Sequence, residues 1–205
     1  MSDGLQGTAD SSSGGTIDSS RLEGFSDGVM AVIITIMAFQ LKTPVTADLH
    51  GLAEVWPSLL VYVLSFSMIG IYWNNHHHLL RATRRINAGV MWTNLLLLFW
   101  LSLIPFATEW MGTAHGHALP AATYGVIALA ASLAYFALVR AILRANPDDS
   151  DIVAAIGRDV KGIASPIICA AGIGLAFVSP YLAYVCYFAV SLIWFIPDRR
   201  LTRNV

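Results

Sequence analysis

RLEGFSDGVMAVIITIMAFQL, residues 21–41, is long and apolar enough to cross a lipid bilayer, yet its first two turns carry charged side chains. Roughly 20 apolar residues are enough to span the ~30 Å hydrocarbon core of a membrane. Arg21, Glu23 and Asp27 begin the stretch, and only Thr35 interrupts the apolar run that follows. A carboxylate such as that of Asp27 is costly inside a membrane unless it is paired or hydrated. The stretch therefore predicts a membrane helix whose first turns make specific polar contacts.

Apolar segments of this kind recur along the chain. Its 205 residues are 56% hydrophobic and 12% charged, with a mean hydropathy of +0.63. In a soluble protein about a quarter of the residues are charged. Runs long enough to span a bilayer lie at about 22–41, 55–78, 89–110, 119–143, 161–178 and 180–197. We therefore predict an all-α membrane protein with six transmembrane helices per chain.

Prolines mark several expected features of these helices. Pro57 and Pro120 are placed near helix starts, where the missing N–H is tolerated. Pro105 lies inside the third span and is expected to kink it. The dipeptide Ser179–Pro180 separates two short spans, which are therefore predicted to form a tight hairpin.

The distribution of charge predicts the orientation in the membrane. With a cytoplasmic N-terminus, every Lys and Arg except Lys42 falls on the cytoplasmic side, as the positive-inside rule requires. Both termini are therefore predicted to be cytoplasmic. Residues 1–20 are predicted to be a disordered tail, residues 21–198 a six-helix transmembrane domain, and residues 199–205 a short basic tail. A net charge of −1 argues against a nucleic-acid partner.

Polar side chains near the cytoplasmic ends of the first three spans form a candidate cluster. His76–His78 are expected at the same depth as Arg21 and Asp27, and Asn94 enters the third span close to its cytoplasmic end. Asp27 is interpreted equally well as a helix-docking residue and as part of a functional site. Glu23 is expected to close a capping box at the start of the first helix.

Metal binding and catalysis are weaker interpretations of these residues. Successive helical side chains point about 100° apart, so one ion cannot bind all of His76–His78. His115 and His117 fall on the opposite side of the membrane, and Cys169 and Cys186 are expected to pack as apolar side chains. We therefore predict no metal, no cofactor and no enzymatic activity. A secondary transporter and a non-conducting membrane protein remain as alternatives, although no inverted repeat is visible.

Three blocks of the sequence resemble the transmembrane protein 175 family, which is related to the lysosomal potassium channel. RLEGFSDGVMAVIITIMAFQL carries an R-x-x-x-F-S-D signature, YWNNHHHLL resembles a W-x-x-H-H element, and NLLLLFWLSLIPF (Asn94–Phe106) resembles the third-span block. Together the blocks cover the first three helices in order. The chain is thus similar to prokaryotic members of this family.

The resemblance implies a homotetramer in which helix 1 of each subunit lines a central pore. Val32, Ile36 and Phe39 recur on one helical face, and Thr35 flanks that face. These four residues are the expected pore lining, with Ile36 as the narrowest layer. No TVGYG segment is present, so gating is expected from an apolar constriction that loses its water. The implied function is a potassium-permeable cation channel with modest selectivity for K⁺ over Na⁺; permeation by other monovalent cations or H⁺ is left open.

The resemblance also implies a polar network that holds helix 1 against helices 2 and 3. Its expected members are Arg21, Phe25, Ser26, Asp27, Trp73, His77 and Asn94. The expected location is the cell (plasma) membrane, as a multi-pass protein whose partners are copies of itself, membrane lipid and monovalent cations.

Overall fold

The structure, a computed structural model, describes residues 19–147 and 160–195. All regular elements in these ranges are α-helices, and they lie at α1 (Ser19–Phe39), α2 (Leu49–Ala82), α3 (Ala88–Ser102), α4 (Ile104–Thr113), α5 (Ala118–Ala145), α6 (Val160–Ala176) and α7 (Pro180–Phe195). Four segments of the described residues are long and apolar enough to cross a membrane: α1, α2, the α3–α4 pair and α5. Helices α6 and α7 are shorter apolar helices. The prediction of an all-α membrane protein is confirmed.

The predicted tails fall almost entirely outside the described residues. Ser19 and Ser20, which the sequence interpretation assigned to the N-terminal tail, form the first turn of α1. The rest of that tail and the basic tail over 199–205 lie outside the described ranges.

Helix α2 extends well beyond the predicted second span. It contains 34 residues, or about 51 Å at 1.5 Å per residue, which exceeds the ~30 Å core of a bilayer. Asp48 caps its start by accepting a hydrogen bond from the backbone N–H of Gly51 at 2.8 Å. Pro57 is therefore inside the helix and not near its start, so that prediction was wrong. The additional turns contain His50 and Glu54, which lowered the hydropathy there and hid them from the sequence pattern.

The third predicted span is divided into two helices, as the position of Pro105 suggested. Helix α3 ends at Ser102, Leu103 connects the two helices, and Pro105 occupies the first turn of α4. Because proline lacks an N–H, it fits this first turn without loss of a hydrogen bond. The irregularity predicted at Pro105 is thus found as a break between α3 and α4.

Two groups of helices pack against α5. Helices α3 and α4 pack on one part of α5, while the α6–α7 hairpin packs on another. The hairpin can approach α5 closely because Gly125 and Gly172 have no Cβ atom. A Cβ atom at either position would collide with the side chain of Tyr187. The Tyr187 hydroxyl donates a hydrogen bond to the carbonyl oxygen of Ala121 at 3.0 Å. The hairpin expected around Ser179–Pro180 is thus confirmed, and small residues explain its close packing.

Within the described residues, helix α1 packs mainly against α2, α3 and α4. Its contacts with these three helices place its N-terminal turns near the end of α2 and the start of α3. The remaining surface of α1 is therefore available for contact with molecules outside the chain.

Candidate functional site

Helix α1 has a buried face and an exposed face. The buried face consists of Leu22, Ser26, Met30, Ile33 and Met37. These positions recur every three or four residues, which is the spacing of one side of an α-helix. This face packs against α2, α3 and α4 and fixes the rotation of α1 about its own axis.

The four residues expected to line a pore all lie on the exposed face. Val32 is 55% exposed, Ile36 43% and Phe39 91%, and Thr35 is exposed between them. The Thr35 hydroxyl donates to the carbonyl oxygen of Val32 at 2.8 Å, so its oxygen can still accept another contact. The packing of the described helices therefore leaves a continuous, mainly apolar stripe exposed on α1.

A hydrogen-bonded group of three buried side chains, here called the N-terminal polar cluster, joins α1, α2 and α3. It consists of Ser26, His76 and Asn94. The Asn94 Nδ2 group donates to Ser26 Oγ at 3.0 Å, and Ser26 Oγ donates to the Leu22 carbonyl oxygen at 2.8 Å. His76 Nε2 lies 2.6 Å from Asn94 Oδ1. Since a carbonyl oxygen only accepts, Nε2 of His76 is assigned the proton.

The histidine that contacts Asn94 is His76, whereas the expected network named His77 without giving it a partner. His77 instead points toward α1, where its Nδ1 lies 2.7 Å from Oε1 of Glu23. Its ring stacks on that of Trp73 with 5.8 Å between centroids. Glu23, which was expected only to cap a helix, thus contacts α2, and the sequence interpretation missed this contact. Three consecutive histidines gave the depth of the contact but not which ring faces which helix.

Asp27 lies beside the Glu23–His77 pair. A ligand-type atom from each of Glu23, Asp27 and His77 lies within 4.8 Å of the others. Oδ1 of Asp27 is buried and has no hydrogen-bond partner among the described residues. Arg21 and Phe25, the remaining expected members of the polar network, are exposed on α1. The expected residues therefore all lie at one end of α1, but they do not form a single network. Ser26 and Asn94 belong to the N-terminal polar cluster, Asp27 and His77 lie together beside it, and Arg21 and Phe25 are exposed.

A second buried group, here called the hydroxyl cluster, was missed by sequence reasoning. Its members are Ser65 of α2, Thr108 of α4 and Tyr124 of α5. Thr108 Oγ1 lies 2.7 Å from Ser65 Oγ, which lies 3.2 Å from the Tyr124 hydroxyl. Each residue is an isolated hydroxyl in an apolar span, so no local motif marked it. Only the depth of each helix in the bundle shows that the three meet.

These features define a class of protein: a multi-span α-helical membrane protein whose first helix is tied to its neighbours at one end and presents an apolar stripe outward. The model of the family described as "Endosomal/lysosomal potassium channel TMEM175" matches residues 21–105. That range extends from the first turns of α1 into α4 and includes the N-terminal polar cluster.

Relatives extend this similarity over nearly the whole chain. A protein of Chryseobacterium sp. (strain P1-3) named a potassium channel is 45% identical over 185 residues, covering 90% of this chain and 96% of the relative. A Streptomyces collinus protein, also named a potassium channel, is 32% identical over 187 residues, covering 85% and 90%. The solved structure of a lysosomal potassium-selective channel TMEM175 homolog from Chamaesiphon minutus matches with a TM-score of 0.76 at 25% identity, covering 91% of this chain and 98% of that one. The chain belongs to the TMEM175 family, and the expectation from the R-x-x-x-F-S-D signature is confirmed.

Proposed function

We propose that this protein is a potassium channel in which several copies of the chain surround one pore. Its relatives of similar length are named potassium channels, and the similar solved structure is described as a potassium-selective channel. The observation that carries the proposal for this chain is the exposed stripe of Val32, Thr35, Ile36 and Phe39 on α1.

One apolar helix cannot enclose a water-filled path, so a pore along α1 requires a ring of identical chains. The buried face of α1 is used by α2, α3 and α4, and the opposite stripe is the surface that such a ring would turn toward its axis. We propose the homotetramer that the family resemblance implies. This assembly gives each side chain on the stripe three symmetry-related copies at the same depth.

We propose that the apolar stripe is the gate and that Ile36 forms its narrowest layer. A ring of branched aliphatic side chains can close a pore by excluding water, and it opens when the helices rotate or separate. Such a ring does not replace the hydration shell of an ion, so we expect modest selectivity for K⁺ over Na⁺. The Thr35 oxygens add a layer of weak ligands next to the gate.

The N-terminal polar cluster is the proposed joint about which α1 tilts. Ser26, His76 and Asn94 fix the start of α1 to α2 and α3 through buried, directional hydrogen bonds. Asp27, His77 and Trp73 lie beside them and add contacts at the same end. We propose that this end faces the cytoplasm in the cell membrane, in accord with the distribution of Lys and Arg.

Cation flux into liposomes that contain the purified protein tests this function. K⁺ and Na⁺ gradients are compared for the wild type, for Ile36→Asn and for Val126→Asn. Val126 is the matched control because it is a branched aliphatic residue on α5 with a similar exposure of 48%. We expect K⁺ flux above Na⁺ flux in the wild type and a severalfold rise in flux for Ile36→Asn only, since a polar layer retains water.

Other outcomes separate the parts of the proposal. Equal effects of both substitutions would place Ile36 in contact with lipid and remove it from the gate. Unchanged flux in Ile36→Asn would indicate that the gate is formed by Val32 or Phe39 and not by Ile36. Absence of K⁺ flux from tetrameric wild-type protein at every voltage and pH tested would contradict the channel proposal.

A further inference from the structure

Glu23, Asp27 and His77 form a three-residue group, here called the carboxylate–histidine site, that the N-terminal polar cluster does not use. Two of its side chains come from successive turns of α1 and the third comes from α2. One ligand-type atom of each residue lies within 4.8 Å of the other two. All three residues are partly buried, so solvent reaches the group while the surrounding helices confine it.

The polar atoms of this group are incompletely satisfied. Oδ1 of Asp27 and Nδ1 of His77 are both buried and lack a hydrogen-bond partner among the described residues. Oε1 of Glu23 lies 2.7 Å from Nδ1 of His77, yet outside the directional geometry of a hydrogen bond. Buried polar atoms in this condition are costly unless another partner satisfies them. The unsatisfied atoms converge from two helices on one small volume.

We propose that the carboxylate–histidine site binds a divalent transition-metal cation of the Zn²⁺ type. Zn²⁺ accepts imidazole nitrogen and carboxylate oxygen at about 2.0–2.2 Å, which places tetrahedral ligands about 3.3–3.6 Å apart. Small side-chain rotations bring the three donor atoms to that spacing from their separation of at most 4.8 Å. Three protein ligands leave the fourth position to water. The nitrogen ligand favours Zn²⁺ over Mg²⁺ or Ca²⁺, which prefer oxygen alone.

This site differs from the metal site that the His76–His78 run suggests. His76 is committed to Asn94 through Nε2, whereas His77 presents Nδ1 to Glu23 and Asp27 on α1. Only one histidine of the run therefore serves as a ligand, together with two carboxylates that are distant in the sequence. A bound cation would link α1 to α2 directly, next to the N-terminal polar cluster.

Calorimetric titration of the untagged, detergent-purified protein with ZnCl₂, in the presence of excess MgCl₂, tests the proposal without measuring ion flux. We expect one Zn²⁺ per chain, and affinity lower by at least about tenfold in His77→Gln and Asp27→Asn, because even outer partners of a metal contribute about 10–100-fold. His50→Gln is the matched control, since His50 forms an exposed pair with Glu54 at 3.5 Å and has no third candidate ligand among the described residues. Its affinity should equal that of the wild type.

His77→Cys provides a second test that does not depend on loss of binding. A cysteine thiolate also ligates Zn²⁺ and Co²⁺, so this variant should regain the affinity lost in His77→Gln. With Co²⁺ it should also show a thiolate-to-metal absorption band that the wild type lacks. Wild-type protein that binds no Zn²⁺, or unchanged affinity in His77→Gln, would overturn the site. Either result leaves the potassium-channel proposal intact, because that proposal is judged by flux.

Discussion

The two ends of α1 are held by different kinds of contact. At its start, the N-terminal polar cluster includes an α1 side chain, Ser26, which accepts a hydrogen bond from Asn94 at 3.0 Å. Toward its end, the hydroxyl cluster of Ser65, Thr108 and Tyr124 ties α2, α4 and α5 to one another. Among the described residues, its hydrogen-bond contact with α1 is made to the thioether of Met37, whose sulfur lies 3.8 Å from Thr108 Oγ1.

This difference indicates which end of α1 can move. Hydrogen bonds of the amide, imidazole and hydroxyl groups are directional, so they resist rotation and separation of the helices. Contacts of a thioether and of apolar side chains are adaptable and weaker individually. We therefore expect the start of α1 to act as a fixed point and the end that carries Ile36 and Phe39 to move more easily.

Substitution of Asn94 should cause the largest loss of stability. Asn94→Ala removes both bonds of the cluster and leaves the buried N–H of His76 without its acceptor. Because an unsatisfied buried donor and a small cavity are both destabilising, we expect a loss of about 2–4 kcal/mol. The measurement is the free energy of unfolding of the reconstituted protein by denaturant titration.

A double-mutant cycle with His76→Phe provides the control for this prediction. If the Asn94–His76 bond is the main loss, Asn94→Ala should cost clearly less in the His76→Phe background. Additive effects of the two substitutions would show that the cluster does not act as a unit. The proposal that the start of α1 is held more firmly than its end would then have no support from the stability of the cluster.

Substitution in the hydroxyl cluster should have a smaller effect. Thr108→Val keeps the shape of the side chain, and Ser65 retains its 3.2 Å contact with Tyr124, so no buried group is left without a partner. We expect a loss of about 0.5–1 kcal/mol, the usual net value of one hydrogen bond between membrane helices. The same unfolding titration measures it. A loss as large as that of Asn94→Ala would contradict the predicted ranking of the two clusters.

The smallest effect is expected at Asp48, where similar hydrogen bonds are exposed to water. The N–H of Gly51 and the hydroxyl of Thr46 donate to its carboxylate and lower the pKa of Asp48. The carboxylate therefore stabilises the start of α2 above the ordinary Asp pKa, and this contribution is lost as the pH falls through the lowered pKa. The protection factor of the Gly51 amide, which corrects the exchange rate for its intrinsic pH dependence, should fall on that acidification in the wild type. Asp48→Asn should show little change in this protection factor over the same pH range, and an equal fall in both proteins would exclude the cap as the cause.

The sequence allowed correct prediction of those features that depend on local hydropathy and on proline. The spans, the break near Pro105 and the hairpin at Ser179–Pro180 were all found in this way. The exposed stripe of α1 was also predictable, because its helical period places Val32, Ile36 and Phe39 together. The six extra residues of α2 before the predicted span were missed because they are polar enough to resemble a loop.

Polar contacts between helices were predicted only in part. The sequence placed Ser26, Asn94 and the histidine run near one end of the bundle, yet the expected network named His77 and not His76, which contacts Asn94. Glu23 satisfied a local capping pattern, which concealed its contact with His77. Neighbouring residues on a helix differ by about 100° in direction, so an uncertainty of one residue changes the partner entirely.

The sequence by itself determined that this protein is a helical membrane protein, where its helices lie and, through short motifs, the family to which it belongs. Transfer of a segment from water to lipid is governed by its own side chains, so that information is local. Only the tertiary structure decided that His76 binds Asn94, that Glu23, Asp27 and His77 converge, and that Ser65 meets Thr108 and Tyr124. These contacts depend on the rotation and depth of each helix, which are set by packing of the whole bundle.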